Sequence, residues 1–205
     1  MSLAVFCSGS GTNLAAIIRA VRRRQIPTAI RLVVSDRADA YALVRAKRAG
    51  LPTLYLNPRD FSSKAAYERA LIRALERARV RYIALAGFMR ILSPAFVRRY
   101  RWRILNIHPA LLPSFPGAHA VHDALAAGVD VTGVTVHLVD EGVDTGPMVL
   151  QETVRVLPRD TEASLLARLH RVEHRLYPRA LRYLVEGRLR VGRGRRVELV
   201  AHPRR

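Results

Sequence analysis

Cysteine is almost missing from this chain. Cys7 is the single one in 205 residues, which excludes an internal disulfide and makes a reducing cytoplasm the expected compartment. Lysine is as scarce, with only Lys47 and Lys64, and 16 acidic residues face 35 Lys and Arg, so the formal charge of +19 is almost entirely arginine. Long apolar runs are lacking too. None approaches the roughly 18 residues that a membrane span needs, so no membrane role is expected. The segment from Met1 to Cys7 has neither the basic stretch nor the cleavage site of a secretory signal. Aromatic residues make up 6% and are not interleaved with the arginines as a base-stacking platform requires. Arginine-rich solvated helix faces are therefore preferred to nucleic-acid binding as the account of the charge. The positive field suits a substrate bearing phosphate or carboxylates.

What is present is an alternation. With 50% apolar residues the chain can bury one sizeable core, so one domain is expected. Strand-like and helical runs follow one another: Leu3 to Cys7, the stripe Leu14, Ile17, Ile18, Val21, then Ile30 to Val34, the 38–49 segment and Thr53 to Leu56. A helix from about 62 to 79 leads into Tyr82 to Ala86, and Ile104 to His108 reads as another buried strand. The pattern predicts an α/β fold, an open, mainly parallel twisted sheet with helices on both faces. Ligands then belong beyond the carboxyl ends of its strands. Pro109, Pro113, Pro116 and Gly117 make 109–117 a loop. After it come a half-exposed alternating strand over 131–139, a polar loop over 140–146, a strand from Met148 and a helix from about Glu162 to Val185. The basic end 188–205 carries no motif, and no regular element is assigned to it.

Three segments carry candidate chemistry. Ser8-Gly9-Ser10-Gly11-Thr12-Asn13-Leu14 lies between the first strand and the first helix, where backbone N–H groups and the helix dipole can hold a phosphate. It has neither the lysine of a nucleotide P-loop nor the third glycine of a dinucleotide fingerprint, and the alternative is a turn in which Thr12 caps the helix. Asn106-Ile107-His108-Pro109 ends a buried strand, with Asn106 and His108 on one face. An amide and an imidazole so placed can stabilise an oxyanion and move a proton, as acyl transfer requires; a hydrogen-bonded structural histidine is the alternative. The third segment, Asp140 to Gly146, holds Asp140, Glu141 and Asp144. A carboxylate there can keep His108 oriented and protonated, against the alternative of a solvated Asp/Gly turn.

Taken together with Ala86-Gly87-Phe88-Met89-Arg90-Ile91-Leu92 and Ala110-Leu111-Leu112-Pro113, these motifs resemble the glycinamide ribonucleotide transformylase family, in the same order and over nearly the whole chain. The resemblance implies a Rossmann-like formyltransferase fold for residues 1–187. A ribonucleotide half spans about 1–100, a folate and catalytic half about 101–187, and 188–205 is a basic tail. It implies transfer of a formyl group from 10-formyltetrahydrofolate to the amine of glycinamide ribonucleotide, with no metal. Asn106, His108 and Asp144 would be catalytic. Gly11, Thr12, Asn13 and Glu173 would bind the ribonucleotide, although an intrahelical ion pair is the alternative for Glu173. Lys64, Met89, Arg90, Ile91, Leu92, Asn106, Asp140, Glu141, Gly142, Val143 and Asp144 would bind the folate. Lys64 stands where some members carry an arginine for the folate's glutamate tail, which keeps the charge without the bidentate fork. Partners would be these small molecules, with a homodimer possible and neither membrane nor nucleic acid expected. Competing assignments are methionyl-tRNA formyltransferase, a formyltetrahydrofolate hydrolase and a non-catalytic basic nucleic-acid-binding protein.

Overall fold

A computed structural model describes residues 1–201; the last four residues of the basic tail, 202–205, lie outside the described residues. Strand β1 (Ser2–Phe6) buries Leu3 and Val5 in one apolar cluster and Ala4 and Phe6 in another. A strand covered on both faces reads as a continuous apolar run for this reason. The chain continues through α1 (Thr12–Arg22), β2 (Ala29–Ser35), α2 (Tyr41–Arg48), β3 (Thr53–Tyr55), α3 (Lys64–Arg77), β4 (Tyr82–Leu85), α4 (Pro94–Arg99) and β5 (Ile104–His108). It ends with α5 (Ala120–Ala126), β6 (Val131–Leu138), β7 (Met148–Arg155), α6 (Glu162–Val185), β8 (Leu189–Val191) and β9 (Val197–Leu199).

The main sheet has the order β3-β2-β1-β4-β5-β6-β7. Its first five strands are parallel, and β6 and β7 are antiparallel to their neighbours. After β1 the chain moves outward to β2 and β3, then returns to the other side of β1 as β4. The carboxyl ends of β1 and β4 thus flank a switch point, where a crevice opens. Helices α1, α2 and α6 cover one face, with Leu14, Ile17, Leu43, Leu165 and Leu169 in the core. Helices α3 and α4 cover the other with Leu71, Leu75 and Phe96. Helix α6 starts at a capping box between Thr161 and Ser164, and its Tyr177 hydroxyl lies 2.8 Å from the Leu85 carbonyl and 2.9 Å from that of Leu105. Among the described residues no helix is long and apolar enough to cross a membrane.

Four features depart from the sequence reading. Strand β6 is buried on both faces, with Thr135 and His137 as covered as Val134 and Val136, because the 109–117 loop and the folded-back 140–146 loop close over its polar side. The short helices α4 and α5 interrupt stretches to which no element was assigned. The basic end forms the hairpin β8–β9, whose Leu189, Val191 and Val197 pack on the main core. Finally, arginines do lie on aromatic rings: Arg45 and Arg48 on Tyr41, Arg101 on Trp102, Arg103 on Tyr100, and Arg179 and Arg188 on Tyr183. These rings are covered by the protein's own cations, so they are not bare stacking platforms.

Candidate active site

The loop after β1 wraps into an open cleft of about 460 Å³ lined by Ser8 to Asn13, Asp36, Arg37, Gly87, Met89, Arg90 and His170. Helix α1 begins at Gly11, in the left-handed region at φ 71° and with no side-chain cap. Thr12 is therefore inside the helix and does not cap it, which leaves the first N–H groups of α1 turned toward the cleft for an anion. Only glycine fits at position 11, since an added Cβ would lie 2.7 Å from Ala42. Behind the loop, Asn13 Nδ2 donates to Glu173 Oε2 at 2.7 Å. Asn13 Oδ1 is buried without a partner among the described residues. Burial pushes the Glu173 carboxyl up, against the opposing effects of the Asn13 hydrogen bond and the charges at His170 and His108. Glu173 thus stands behind Asn13, away from the cleft wall, with His170 Nε2 at 3.9 Å.

A second cleft, of about 340 Å³, opens at the ends of β4 and β5. It shares Gly87, Met89 and Arg90 with the first, so the two meet. Its floor carries Asn106, His108 and Asp144, brought together from β5 and the 140–146 loop. The His108 Nε2 faces the Phe115 carbonyl at 2.8 Å, and its Nδ1 lies 3.4 Å from Asp144 Oδ2. Both ring neighbours are acceptors, an arrangement that accommodates a ring donating from both nitrogens. The same Asp144 oxygen accepts from Gly117 N at 2.9 Å. Asn106 Nδ2 donates to Asp144 Oδ1 at 3.3 Å and faces His137 Nε2 at 3.2 Å. Burial alone would raise the Asp144 carboxyl, but hydrogen bonds from His137 and Gly117 N–H and the charge at His108 hold it below the ordinary carboxylate range. Asp144 sits at φ 53°, a left-handed conformation that costs a non-glycine residue about 1–2 kcal/mol. Fixed surroundings must over-determine such a residue.

Of the residues the resemblance grouped as folate-binding, Met89, Arg90, Ile91, Leu92, Asp140, Gly142 and Val143 line this second cleft. Met89 and Ile91 are 68% and 65% exposed, so they form an open apolar wall, whereas Leu92 is core. Glu141 is turned away toward Arg98 at 3.4 Å. Lys64 lies in an adjoining groove of about 410 Å³ with Phe61, Tyr67 and Glu68, which shares Met89 to Leu92 with the cleft. Several residues outside the predicted site set complete the two clefts. His137, set opposite Asn106 by the β5–β6 register, completes the polar floor. Its signal was its place on the same face as Thr135. Buried Asp36 accepts from Ser8 Oγ at 2.6 Å and pairs with Arg90 Nε at 2.9 Å, joining the two clefts' walls. Thr135 Oγ1 donates to the Ala110 carbonyl at 2.7 Å and accepts from Leu112 N at 3.1 Å, while Gln151 Nε2 holds the Leu112 carbonyl at 3.0 Å. These bonds fix the loop that supplies Phe115 and Gly117. Among the described residues no group of three His, Cys, Asp or Glu is placed to hold a metal ion.

Two clefts that share a wall, one of them floored by an amide, an imidazole and a carboxylate, suit a two-substrate acyl transfer, and the comparisons give the class: residues 1–181 match the family described as formyl transferase. The phosphoribosylglycinamide formyltransferase of Escherichia coli (strain K12) is 44% identical over 191 residues, which are 93% of this chain and 90% of that one. The trifunctional purine biosynthetic protein adenosine-3 of Drosophila pseudoobscura pseudoobscura is 49% identical over 190 residues. That match covers 92% of this chain and only 14% of the fly protein's length. The crystal structure of glycinamide ribonucleotide transformylase 1 from Symbiobacterium toebii superposes with a TM-score of 0.95 at 46% identity, covering 98% of this chain and 94% of that one. The chain belongs to the phosphoribosylglycinamide formyltransferase family.

Proposed function

We propose that this chain transfers the formyl group of 10-formyltetrahydrofolate to the amine of glycinamide ribonucleotide, with Asn106, His108 and Asp144 performing the chemistry. The observation that carries the reading is the meeting of these three residues on the floor of the second cleft, which shares Gly87, Met89 and Arg90 with the first. The uncapped start of α1, with Gly11, Thr12 and Asn13, takes the phosphate end of the ribonucleotide. The apolar wall of Met89 and Ile91 and the backbone of 140–144 suit a flat polar heterocycle, and Lys64 in the adjoining groove suits its carboxylate tail. Residues 1–187 act as one formyltransferase domain; the first cleft comes mostly from the ribonucleotide half, with His170 added, while the second draws on both halves, 85–92 from one and 106–144 from the other. The compartment that fits is the cytoplasm.

The reaction follows from the groups present. The neutral amine attacks the formyl carbon, and the carbonyl pair moves to oxygen. The His108 Nε2 is held by Phe115, so Nδ1 is the ring nitrogen that serves the oxyanion. The Asn106 bond to Asp144, at 3.3 Å the longer of its two contacts, is the one an oxyanion can replace. Asp144, kept ionised, accepts the proton released by the new ammonium and relays it to N10. The oxyanion pair then returns to re-form the carbonyl as the bond from carbon to the protonated N10 breaks with its pair on that nitrogen, giving formylated ribonucleotide and tetrahydrofolate. The test is an absorbance assay of tetrahydrofolate release with glycinamide ribonucleotide and, separately, with charged initiator tRNA. Turnover is expected with the ribonucleotide; turnover with tRNA alone overturns the reading.

A further inference from the structure

We infer that Arg195, at the tip of the C-terminal hairpin, is a positioning residue for the loop that carries Asp144, so the basic tail is part of the folate site. The inference rests on the function proposed above. The Arg195 guanidinium reaches from the β8–β9 turn to the Asp140 carboxylate and donates to the Thr145 carbonyl at 2.8 Å. These two contacts lie at either end of the 141–144 segment. Asp140 closes the base from inside, accepting from Thr145 Oγ1 at 2.8 Å and from Gly142 N at 3.2 Å. Burial alone would raise the Asp140 carboxyl; bonds from Thr145, Arg195 and Gly142 outweigh it and keep the group anionic at neutral pH.

The contact has a rigid base. Leu189, Val191 and Val197 anchor the hairpin to the main core. Arg188 Nε donates to the Val200 carbonyl at 3.1 Å, and Gly192 N to that of Arg196 at 2.9 Å. At the tip, Gly194 and Arg195 both take left-handed backbone, at φ 67° and 63°. For Arg195 this is a disfavoured conformation, kept where a contact over-determines it. Asp144 is disfavoured in the same way across the contact, and Gly146 beside it has no room for a Cβ, which would meet the Leu138 carbonyl. Gly117 and Asn106 hold the Asp144 carboxylate itself, and the backbone that presents it in a disfavoured conformation depends on what grips the base of the loop. An arginine bridging a carboxylate and a carbonyl supplies that grip with directional bonds.

The experiment compares Arg195→Ala and Arg195→Lys with the parent enzyme by steady-state kinetics and by hydrogen exchange of the peptides covering 140–146 and 189–199. The Ala variant is expected to raise the folate KM about fivefold, a magnitude typical of a partly exposed charged contact. The ribonucleotide KM should stay unchanged, and exchange should quicken in 140–146 but not in 189–199. The Lys variant should recover part of the loss, since it keeps the charge without the fork. Unchanged folate KM together with unchanged exchange overturns the inference. Faster exchange in the hairpin itself also overturns it, because the role would then be the stability of the tail. If the parent fails to formylate the ribonucleotide at all, the proposed function falls, while the exchange comparison still decides whether Arg195 grips the loop.

Discussion

The two clefts are built on different principles although they share a wall. The first is made of backbone and buried polar pairs. A helix start, Asn13 on Glu173, and Ser8 and Arg90 on Asp36 are held together by the chain's own hydrogen bonds and ion pair. The second is made of a loop and exposed apolar side chains, with a disfavoured Asp144 held by bonds from outside its own segment. The preformed cleft suits a small anion that offers few contacts; the looser cleft suits a large flat molecule that buries apolar surface as it binds. Substitutions should therefore separate by cleft, and most sharply where the chemistry sits.

Asp144→Asn tests the junction and carries the largest expected effect. Turnover should fall about a thousandfold, as for loss of a proton-moving and charge-stabilising group, while the fold and the binding of both substrates are retained. His108→Ala should be comparably impaired, and the double variant no worse than the poorer single one, because the two act as a unit. Multiplicative losses would break the junction into two independent sites. Gly11→Ala comes next: the clash with Ala42 and the left-handed backbone should raise the ribonucleotide KM about tenfold and cost about 1–3 kcal/mol of stability, as overpacking does. An equal rise in the folate KM would erase the contrast between the clefts.

Glu173→Gln sharpens it with a change of sign. The Glu173 carboxyl is raised in the folded protein, so ionising it opposes folding. That penalty is absent below the unfolded carboxylate value, about 4.3, and grows as pH rises toward and through the raised folded value. The Gln variant should melt higher than the parent at neutral pH, with the gap closing near pH 4, while ribonucleotide affinity falls severalfold. A constant gap across pH would show that Glu173 is not the group responsible. The smallest effect is that of Lys64→Arg: no change with a monoglutamate folate, and about a twofold gain with polyglutamates from bidentate pairing. The same change with both folates would remove Lys64 from the tail groove.

The parallel half was legible because its information is local. Continuous apolar runs and a period-3.6 stripe in Leu3 to Val34 are produced by strands and helices that follow one another directly in sequence. Asn106 and His108 were legible for the same reason, two residues apart at a strand end. The rest depended on distant parts of the chain. Strand β6 alternates as though one face were wet, yet Thr135 and His137 are buried because loops 109–117 and 140–146 fold over them. Asp36 was given no role from the sequence, because its partner Arg90 is 54 residues away. The tail was read by composition, and composition hides a hairpin whose apolar residues, Leu189, Val191 and Val197, are spread among arginines.

Tyr177 has one hydrogen to give and two carbonyls facing it, Leu85 on β4 and Leu105 on β5. Each carbonyl lies just before a working segment, the 86–92 wall on one strand and Asn106 on the other. The hydroxyl acts as a fixed caliper between them: both strand ends lie within reach of a single oxygen, whose one hydrogen they share. Neighbouring segments serving two different ligands therefore cannot drift apart independently. A change that fits one cleft to a new molecule is felt at once in the spacing of the other.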